Sequence, residues 1–546
     1  MCLIFPRLLF PIPIFFSIFA RELINKKPMR LLSIACWLMA AAALAAQDMP
    51  TTDSYSVNFD REMQRTRTDR VLTRLIMEGS SVKVDDPKRM YHDLTRQQFV
   101  VHPGQTVRPV FGYSGTWMQG YVYIDLNRNG RFDVSKPGGK GELGEGNELV
   151  TFAGMSLDGG KYNSAGEQLS NLASVQPPQF TIPEDLEPGF YMMRWKVDWD
   201  NCDPAGRVDE ENSIIKNGGA IADVLLHVTS EPIGGGYQLV FSDEFDQPNG
   251  SVPDGTKWVA STRRKSTWNR WISNAPEVAF IQSGHLVCRA IPNPDTATDD
   301  VPMLTGAMET KNRFAFTYGK VEVRLRTEPY AGNFPAAWMM PQPPCEGWPN
   351  AGEIDIFEAI DAQNTAYQTV HSHWTYDLGH KNDPKSSFTK SVNVGKWHVY
   401  GVEWAEDFMV FTVDGAVTGI YERSSDPEKL AQGQWPFTHP FYLILNQSVG
   451  NGSWAKAADT SHTYETRFDY IRVYQLQTMA DGILGIKNEE RSNRSADSRA
   501  RGASTKNDGT IYDIYGRKVA ASASGALCQT LPKGIYLQGG RKMVIK

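Results

Sequence analysis

The sequence predicts an all-β protein of several domains. Alternating apolar and polar runs, such as residues 120–126 and 191–197, are separated by glycine and proline, which is typical of short strands joined by turns. Between residues 236 and 476, many more short strands and turn signals follow one another. That spacing favours a sandwich or barrel over alternating strand–helix units. The 546 residues allow roughly three domains of ordinary size.

Shifts in composition divide the chain into five parts. Residues 1–46 have the character of a targeting region. Residues 51–230 predict a β-rich accessory domain, and residues 236–476 predict a second and larger β-domain. Residues 478–508 are polar, charged and nearly free of aromatic side chains, so they predict a linker. Strand character returns in residues 509–546, which predict a small C-terminal β-module.

The overall composition is that of a soluble globular protein with an acidic balance. Hydrophobic residues make up 41% and charged residues 22%, and the formal net charge is −6. Residues 1–46 carry five basic side chains and one acidic side chain, so the remainder has a charge of −10. Such a balance argues against nucleic-acid binding, which needs clustered lysine and arginine. The 14 tryptophans and 21 tyrosines are enough to supply a surface for stacking sugars.

The N-terminal region predicts export. An apolar run over residues 31–46 follows Met29 and Arg30 and ends in small residues, as a secretory signal peptide does. The run is shorter than the roughly 20 apolar residues that a membrane span needs. We interpret residues 29–46 as the signal peptide and Met29 as the true start. The alternative is that the apolar stretch at residues 3–20 is a membrane anchor.

The most informative segment is Glu353-Ile-Asp-Ile-Phe-Glu358. Its β-branched and aromatic residues predict a strand, so Glu353 and Asp355 share one face. Glu358 lies three residues beyond Asp355 and would point to the opposite face in a regular strand. A β-bulge near Ile356 and Phe357 would return it to the first face. Three carboxylates would then project from one face, while the isoleucines fill the core.

Adjacent carboxylates of this kind suit the hydrolysis of glycosidic bonds. Like charges repel, so at least one of the three pKa values should rise. A retaining glycosidase needs one ionised carboxylate as nucleophile and one protonated carboxyl group as acid, about 5–5.5 Å apart. On spacing alone, the alternatives are a solvated acidic strand face and a calcium site.

The chain resembles glycoside hydrolase family 16. The hexapeptide Glu353–Glu358 is similar to the bulged form of that family's signature, which is typical of laminarinase-like members. Further blocks in the family's order are Leu239–Asp246, Trp271–Val278, Gly319–Arg324, Phe334–Pro341, Thr369–His371, Phe441–Gln447 and Phe468–Tyr474. The resemblance covers residues 236–476. It implies a concanavalin-like β-jelly-roll sandwich with a concave cleft as the catalytic domain, preceded by a smaller β-sandwich accessory domain.

The resemblance also implies roles for individual residues. Glu353 would be the nucleophile, Asp355 its helper and Glu358 the acid/base. The residues expected to bind sugar are Trp271, Asn274, Trp338, Trp348, His371, Asn446 and Trp454. No cofactor is expected for the chemistry. Many family members hold a structural calcium, and the matching positions here are Glu244, Gly284 and Asp469, whose oxygen atoms suit that ion.

Two motifs lie outside the catalytic region. The loop Asp125–Asp133 has the oxygen spacing of a calcium loop, but Lys136 occupies the position where an EF-hand has glutamate. It resembles turns of accessory β-sandwich modules in secreted hydrolases, and a polar turn without metal is the alternative. The segments 511–519 and 531–536 resemble sorting tails of type IX secretion, with a retained β-module as the alternative.

Together these patterns predict a secreted or cell-surface, monomeric, endo-acting retaining hydrolase of a polysaccharide or oligosaccharide. The expected substrate is a β-1,3-glucan or a mixed-linkage glucan. One alternative is an endo-β-galactosidase acting on algal galactan or mucin-type glycans, for which Arg263, Arg264, Lys265 and Arg270 would supply positive charge. We interpret that basic cluster as a solvated loop. A non-catalytic sugar-binding protein is the alternative from another class, and it would have lost a catalytic carboxylate.

Overall fold

The computed structural model describes residues 49–170, 175–209, 211–230 and 236–476, together with four short strands of backbone between residues 511 and 545. The predicted signal peptide and linker lie outside these residues. The described chain is almost entirely β, which confirms the predicted fold class. Its helices are one 3-10 turn, one π-helical turn and two short α-helices: Thr52–Ser54, His373–Asp377, α1 Ile214–Asn217 and α2 Pro427–Ala431. Within this part of the chain, no helix has the length and apolar character needed to cross a bilayer.

The accessory region contains two main sheets and two small ribbons. The three-stranded sheet has the order β2-β1-β5, and the five-stranded sheet has the order β3-β12-β11-β6-β7. The ribbons pair β10 with β4 and β8 with β9. The strands are β1 Val71–Met77, β2 Ser80–Lys83, β3 Tyr91–Val101, β4 Thr106–Val107, β5 Pro109–Ser114, β6 Gln119–Ile124, β7 Leu149–Phe152, β8 Met155–Leu157, β9 Gly160–Tyr162, β10 Phe180–Thr181, β11 Gly189–Asp198 and β12 Ala220–Val228.

The larger domain is a sandwich of two antiparallel sheets. Its nine-stranded sheet has the order β15-β16-β28-β19-β24-β25-β26, with β13 beside β28 and β17 beside β16. These strands are β13 Tyr237–Asp243, β15 Ala279–Ile281, β16 Leu286–Pro292, β17 Met303–Thr305, β19 Gly319–Thr327, β24 His398–Trp404, β25 Phe408–Val413, β26 Ala416–Glu422 and β28 Tyr464–Leu476. In β19, buried and partly exposed residues alternate strictly, as expected when only one face meets a core.

The seven-stranded sheet has the order β14-β18-β27-β20-β21-β22-β23. Its strands are β14 Val259–Ala260, β18 Ala307–Glu309, β20 Asn333–Pro341, β21 Glu353–Glu358, β22 Thr365–His371, β23 Ser387–Ser391 and β27 Phe441–Val449. Every residue of β27 is buried, because one face meets the core and the other lies under side chains of neighbouring strands and loops. This sheet carries the sequence motif with three carboxylates.

A single apolar core joins the two sheets of the sandwich. It includes Val321 and Val323 from the nine-stranded sheet and Ile354, Phe357 and Leu443 from the seven-stranded sheet. Burying each such side chain stabilises the fold by roughly 1.5–3 kcal/mol. The core therefore determines which face of the seven-stranded sheet is left for other side chains. We refer to that other face, which carries Glu353, Asp355 and Glu358, as the carboxylate face.

The accessory sheet formed by β2, β1 and β5 packs on the outer face of the nine-stranded sheet, at strand β25. Ile76 and Val110 form one apolar cluster with Phe408 and Val410. Beside this cluster, the buried side chain of Arg74 makes ion pairs with Asp407 at 2.6 Å and Glu422 at 3.0 Å. The contact therefore combines apolar packing with paired charges.

The described strands after residue 510 belong to a separate compact unit. Its described backbone is a four-stranded antiparallel sheet with the order β30-β29-β31-β32. These strands are β29 Ile511–Asp513, β30 Lys518–Ala520, β31 Gly534–Gln538 and β32 Arg541–Ile545. Strand character at the predicted C-terminal β-module is therefore present, and its function as a sorting tail stays a prediction.

Candidate active site

Strand β21 contains the bulge that the sequence predicts. Against β20, Phe357 pairs with Ala337 and Asp355 pairs with Trp338, so Ile356 has no partner of its own. The pairing with β22 shows the same shift between Asp355 and Glu358. Two consecutive residues of β21 consequently point to the same side, and the alternation of the strand changes phase at that point.

The change of phase places all three carboxylates on one face. Ile354, Ile356 and Phe357 are fully buried in the core between the sheets. Glu353 and Glu358 are partly exposed on the opposite side, and Asp355 between them is 1% exposed. Three acidic groups that the linear motif would divide between two faces therefore lie in one row.

A histidine lies beside this row. His371 is the register partner of Glu353 in the adjacent strand, and its Nε2 is 3.3 Å from Oδ2 of Asp355. Burial lowers the pKa of His371, but its contact with Asp355 and the charges of Glu353, Asp355 and Glu358 outweigh burial and raise it to about 9. His371 is thus the positive charge of the site near neutral pH.

Glu353 and Glu358 lie in similar surroundings that favour a protonated carboxyl group. Burial, followed by the charge of Asp355, raises the pKa of both groups above the ordinary range. The positive charge of His371 opposes that rise at both glutamates, and an interaction with the Trp348 side chain also opposes it at Glu353. The row therefore favours retention of a proton among its carboxyl groups.

The site could also accommodate a metal by its donor atoms. One ligand atom from each of Glu353, Asp355 and His371 lies within 4.8 Å of the others, the one such cluster among the described residues. This keeps open the metal-site alternative that the sequence raised. Glycoside hydrolysis by two carboxyl groups needs no ion, so the chemistry proposed below does not depend on one.

Two predicted sugar-binding residues form the floor of the carboxylate face. The indole Nε1 of Trp338 donates to Oδ1 of Asn446 at 2.7 Å, and the Asn446 amide donates to Ser448 at 2.9 Å. Trp338 is 5% exposed and is met edge-on by Trp268, with ring centroids 4.9 Å apart. Trp338 and Asn446 are therefore largely buried beside the carboxylates and bonded to each other. Direct sugar binding by these two residues stays a prediction.

The other aromatic residues occupy the two ends of the carboxylate row. At the Glu353 end, Trp348 is 46% exposed and its ring lies 4.5 Å from that of Tyr376. At the Glu358 end, Tyr367 is the register partner of Glu358 and contacts Trp454, whose ring is 5.3 Å away and 46% exposed. The predicted platforms Trp348 and Trp454 therefore present open ring surface on either side of the carboxylates.

Sequence reasoning missed a fourth carboxylate on the same face. Glu309 pairs with Ile444, while its neighbour Met308 faces the core, so alternation in β18 directs Glu309 to the carboxylate face. Burial raises its pKa, and the Ser261 hydroxyl donates to it at 3.0 Å. The pKa of Tyr442 is raised by burial and by the charges of Glu309 and Glu353. This tyrosine therefore lies near both acids. The strand is only three residues long, which left little signal in the sequence.

Trp271 and Asn274 have no contact with Glu353, Asp355 or Glu358 among the hydrogen bonds and ring contacts of the described residues. Trp271 packs in a separate apolar cluster with Tyr464 and is covered by the Arg270 guanidinium at 4.0 Å. Asn274 is exposed on the loop that follows. Their roles in sugar binding stay predictions, and the apolar packing of Trp271 favours a structural role.

The basic cluster beside Trp271 is largely engaged within the protein. Arg270 donates to the backbone carbonyls of Val449 and Gly450, both at 2.9 Å, and so ties its loop to the end of β27. Arg263 forms a two-pronged ion pair with Asp299 at 2.7 Å. The interpretation as a solvated loop is therefore wrong for Arg270, which is half-buried and binds those two carbonyls.

The residues implied for calcium do not form a typical calcium site. Glu244 makes a two-pronged ion pair with Arg472, at 2.9 and 2.7 Å. Asp469 pairs with Arg324 and lies 3.3 Å from His285. Because cationic groups already occupy these carboxylates, the donor set does not fit the oxygen sphere that Ca²⁺ takes. Calcium stays a prediction that rests on the resemblance.

The accessory loop Asp125–Asp133 is closed by its own hydrogen bonds. Asp125 accepts the Tyr55 hydroxyl at 2.5 Å and the Gly130 amide at 2.9 Å. Glu148, which sequence reasoning missed, accepts the amides of Leu126 and Asp133. This arrangement favours the polar-turn alternative, since N–H and O–H donors occupy the oxygen atoms that a metal would use.

Comparison with known proteins identifies the family. The family model described as "Glycosyl hydrolases family 16" matches residues 289–472, and a GEVED domain model matches residues 119–214. Keratan-sulfate endo-1,4-beta-galactosidase of Sphingobacterium multivorum is 34% identical over 248 residues, which is 45% of this chain and 57% of the relative. Glucan endo-1,3-beta-glucosidase A1 of Niallia circulans is 27% identical, over 47% of this chain and 40% of the relative.

These two relatives are matched over only about half of their own length, whereas another is matched over most of it. Beta-glucanase of Rhodothermus marinus is 30% identical over 253 residues, which is 44% of this chain and 85% of the relative. The bulged carboxylate strand, the two-sheet sandwich and these matches agree, and the chain belongs to glycoside hydrolase family 16.

Proposed function

We propose that this protein is a secreted, endo-acting, retaining glycoside hydrolase that cleaves a β-1,3-glucan or a mixed-linkage β-1,3/1,4-glucan. One observation carries the proposal: the bulge in β21 places Glu353 and Glu358 on one face, with Asp355 between them and His371 beside them. A retaining glycosidase uses two carboxyl groups in this way, one as nucleophile and one as acid/base. The order of the family's signature assigns Glu353 as the nucleophile and Glu358 as the acid/base.

The proposed reaction has two steps. In the first step, a carboxylate oxygen of Glu353 attacks the anomeric carbon and forms a covalent bond as the glycosidic carbon–oxygen bond breaks. Glu358 gives its proton to the departing oxygen. In the second step, Glu358 takes a proton from water, whose oxygen displaces Glu353 and releases the sugar with its original configuration.

Asp355 and His371 serve this exchange of protons. Asp355 lies between the two glutamates, and its Oδ2 is 3.3 Å from Nε2 of His371. Its carboxylate can therefore accept a proton or a hydrogen bond from Glu353 or from His371. The positive charge of His371 limits the repulsion among the three carboxylates and favours an ionised Glu353. We assign both as positioning residues, since neither forms a bond to the sugar in this scheme.

Three observations support a neutral β-glucan as the substrate. The beta-glucanase and endo-1,3-beta-glucosidase relatives named above act on glucans by their names. Trp348 and Trp454 offer exposed rings at either end of the carboxylate row, suited to the apolar faces of sugar rings. Four carboxyl groups on one face, including Glu309, disfavour an anionic chain unless positive charge compensates.

A second candidate is an endo-β-galactosidase. The keratan-sulfate relative has a higher identity, 34%, than the glucanase relatives described above. A sulfated chain would need cationic contacts, and Arg264 is exposed close enough to Glu309 and Tyr442 to influence both of their pKa values. A purely sugar-binding function is disfavoured because Glu353, Asp355 and Glu358 are all present.

The test is to incubate the purified protein with laminarin, lichenan, agarose, porphyran, keratan sulfate and mucin glycans. We expect cleavage of laminarin or lichenan to short oligosaccharides, with β-configured ends in proton NMR spectra taken early in the reaction. Early α-configured products would contradict the retaining scheme. Cleavage of the galactans alone, impaired by Arg264→Ala, would replace the glucanase by the galactosidase.

Export, monomeric state and the accessory domain belong to the same proposal. The apolar run over residues 31–46 supports export, and the C-terminal segments support delivery by type IX secretion to the medium or cell surface. The accessory domain serves as a sugar-binding module or as a spacer. No ion or organic cofactor enters the proposed chemistry.

A further inference from the structure

The connection between β22 and β23 forms a wall beside the nucleophile. It spans residues 372–386 and begins with the π-helical turn His373–Asp377. The Ser372 and Thr375 side chains cap the start of this turn by exchanging hydrogen bonds with each other's backbone amides. The wall therefore starts directly after His371 and has a defined conformation.

One buried side chain fixes the wall to the protein. The indole Nε1 of Trp374 donates to the carbonyl of Asp383 at 2.6 Å, and His380 stacks on the same ring at 3.9 Å. Asp383 is held in turn by Lys429 of α2. Trp374 is 5% exposed and therefore anchors the turn that carries the exposed residue two positions later.

Tyr376 is this exposed residue. It is 50% exposed, and its ring centroid lies 4.5 Å from Trp348 and 6.0 Å from His371. The side chain of Trp348 lowers the pKa of Glu353, which places it near that carboxyl group, and His371 is the register partner of Glu353. Tyr376 is thus part of an aromatic corner at the nucleophile, although no sequence motif singled it out.

The shape of this corner has a chemical consequence. The rings of Trp348 and Tyr376 are inclined at 62° to each other, and both keep open surface. A sugar ring that stacks flat on one of them presents its edge, with its hydroxyl substituents, to the other. A hydrogen atom or hydroxyl group fits against such a ring, whereas a sugar branch or sulfate group at the same edge would collide with it.

We propose that Tyr376 contacts the sugar held at Glu353 and restricts cleavage to chains that carry no bulky substituent on that sugar. This inference rests on the proposed glycoside hydrolysis and adds a specificity-determining residue to it. A structural role alone does not account for Tyr376, because Trp374 already anchors the wall and half of the tyrosine side chain remains exposed.

The test compares Tyr376→Ala and Tyr376→Phe with Leu378→Ala as the matched control. Leu378 follows the same π-helical turn, is 40% exposed and has no aromatic ring with which to stack on a sugar. Each purified full-length variant is assayed on a linear β-1,3-glucan and on a β-1,3-glucan with β-1,6-linked glucose branches. The readouts are KM, kcat and the ratio of kcat/KM for the two glucans.

For Tyr376→Ala we expect KM on the linear glucan to rise about tenfold with kcat changed less than about threefold, as loss of a substrate contact requires. The ratio of kcat/KM for branched over linear glucan should rise by at least about tenfold, because the ring no longer excludes the branch. Tyr376→Phe should stay within about threefold of the unmodified protein, since the ring provides the contact. Leu378→Ala should match the unmodified protein.

Two results would overturn the assignment. A fall in kcat with an unchanged ratio for the two glucans would show that Tyr376 acts only by positioning Trp348. Unchanged kinetics in Tyr376→Ala would show that it does not contact the substrate. If the unmodified protein cuts only galactans, the glucanase proposal fails separately, and the same variants are compared on unsubstituted and 6-O-sulfated galactan with the same expected ratio.

Discussion

The accessory domain and the catalytic domain both bury charged side chains, but they combine the signs differently. In the accessory domain, Arg194 of β11 is 1% exposed and lies 2.7 Å from Asp223 of β12. Lys196 and Asp198 form a second pair at 3.0 Å, with both residues equally buried. In the catalytic domain, β21 carries three acids in one row, and the described chain supplies one histidine against them.

The accessory pairs satisfy their hydrogen-bonding groups almost completely. The Arg194 guanidinium donates to both Asp223 oxygen atoms, and the Tyr91 hydroxyl donates to the same carboxylate at 2.9 Å. The Lys196 ammonium donates to Asp198 and to two backbone carbonyls. Such pairs cost little while both partners remain, but removal of one partner leaves an uncompensated buried charge.

The three carboxylates of the catalytic domain lack such one-to-one compensation, because their charges have the same sign. Because burial and like charge both oppose ionisation, the native fold holds a proton in the carboxylate row at a pH where free glutamate would have lost it. Opposite signs buried together stabilise one structure, whereas like signs buried together keep a proton available for chemistry. The four predictions below test this difference.

The largest expected effect is on activity. Glu353→Gln and Glu358→Gln should each reduce kcat/KM by roughly 10²–10⁴-fold, because one loses the nucleophile and the other the proton donor. Asp355→Asn should reduce activity less, since it forms no bond to the sugar. Thermal unfolding should show that all three variants fold. A glutamine variant that retains most of its activity would contradict the assignment of that residue.

The second effect is on stability. Asp223→Ala should lower the free energy of unfolding by about 3–5 kcal/mol, because Arg194 would remain buried without its partner. Asp69→Ala is the matched control: its pair with Arg67 is exposed and screened by solvent, so the free energy of unfolding should hardly change. Urea unfolding measures both values. Equal losses in the two variants would remove the distinction between buried and exposed pairs.

The third effect is a dependence of stability on pH. Since the folded-state pKa of Glu353 lies above its ordinary value of 4.5, the native state retains a proton that the unfolded chain loses as the pH rises. This group therefore favours the native state at low pH, and its contribution is lost as the pH rises through the folded-state pKa. Glu353→Gln should gain stability relative to the unmodified protein, by about 1 kcal/mol, between pH 5 and pH 8.

Melting temperatures of the two proteins across that pH range provide the measurement. Glu322→Gln on β19 is a suitable control, because its carboxylate pairs with Lys320 at 3.0 Å, on the sheet that does not carry the motif. A difference between Glu353→Gln and the unmodified protein that does not change with pH would show that the carboxylate row is ionised equally in the folded and unfolded states.

The smallest expected effect concerns calcium. Glu244→Ala should change the free energy of unfolding by less than about 1 kcal/mol, because its pair with Arg472 is largely exposed. Addition of calcium or of a chelator should leave the melting temperature unchanged to the same degree. A chelator-dependent fall of several degrees that disappears in Glu244→Ala would instead support the calcium site that the family resemblance implies.

Much of the site could be predicted because its signal is local. The spacing of Glu353, Asp355 and Glu358 required a bulge for all three to share a face, and the pairing of β21 confirms that bulge. Glu309 and Tyr376 could not be found in this way. One lies on a strand of three residues, and the other lies in a connection whose course depends on the Trp374 anchor and on Asp383.

The role of the basic cluster also depended on long-range contacts. Arg270 belongs to a run of positive side chains, but its partners are carbonyls of Val449 and Gly450, far away in the sequence. Glu244 and Asp469 similarly offered calcium oxygens in the sequence, yet each faces a cationic side chain from another strand. Composition alone cannot distinguish a free charge from one that is already paired.

The amino-acid sequence by itself determined the all-β class, the family and the three carboxylates, because alternation and short motifs act over a few neighbouring residues. Only the tertiary structure decided the charge environment and the shape of the site. The pKa values of Glu353 and Glu358 depend on burial, Asp355 and His371, and the aromatic corner depends on Tyr376. These effects depend on distances between strands and loops that the sandwich core brings together, and a pKa responds to burial and charge at those distances.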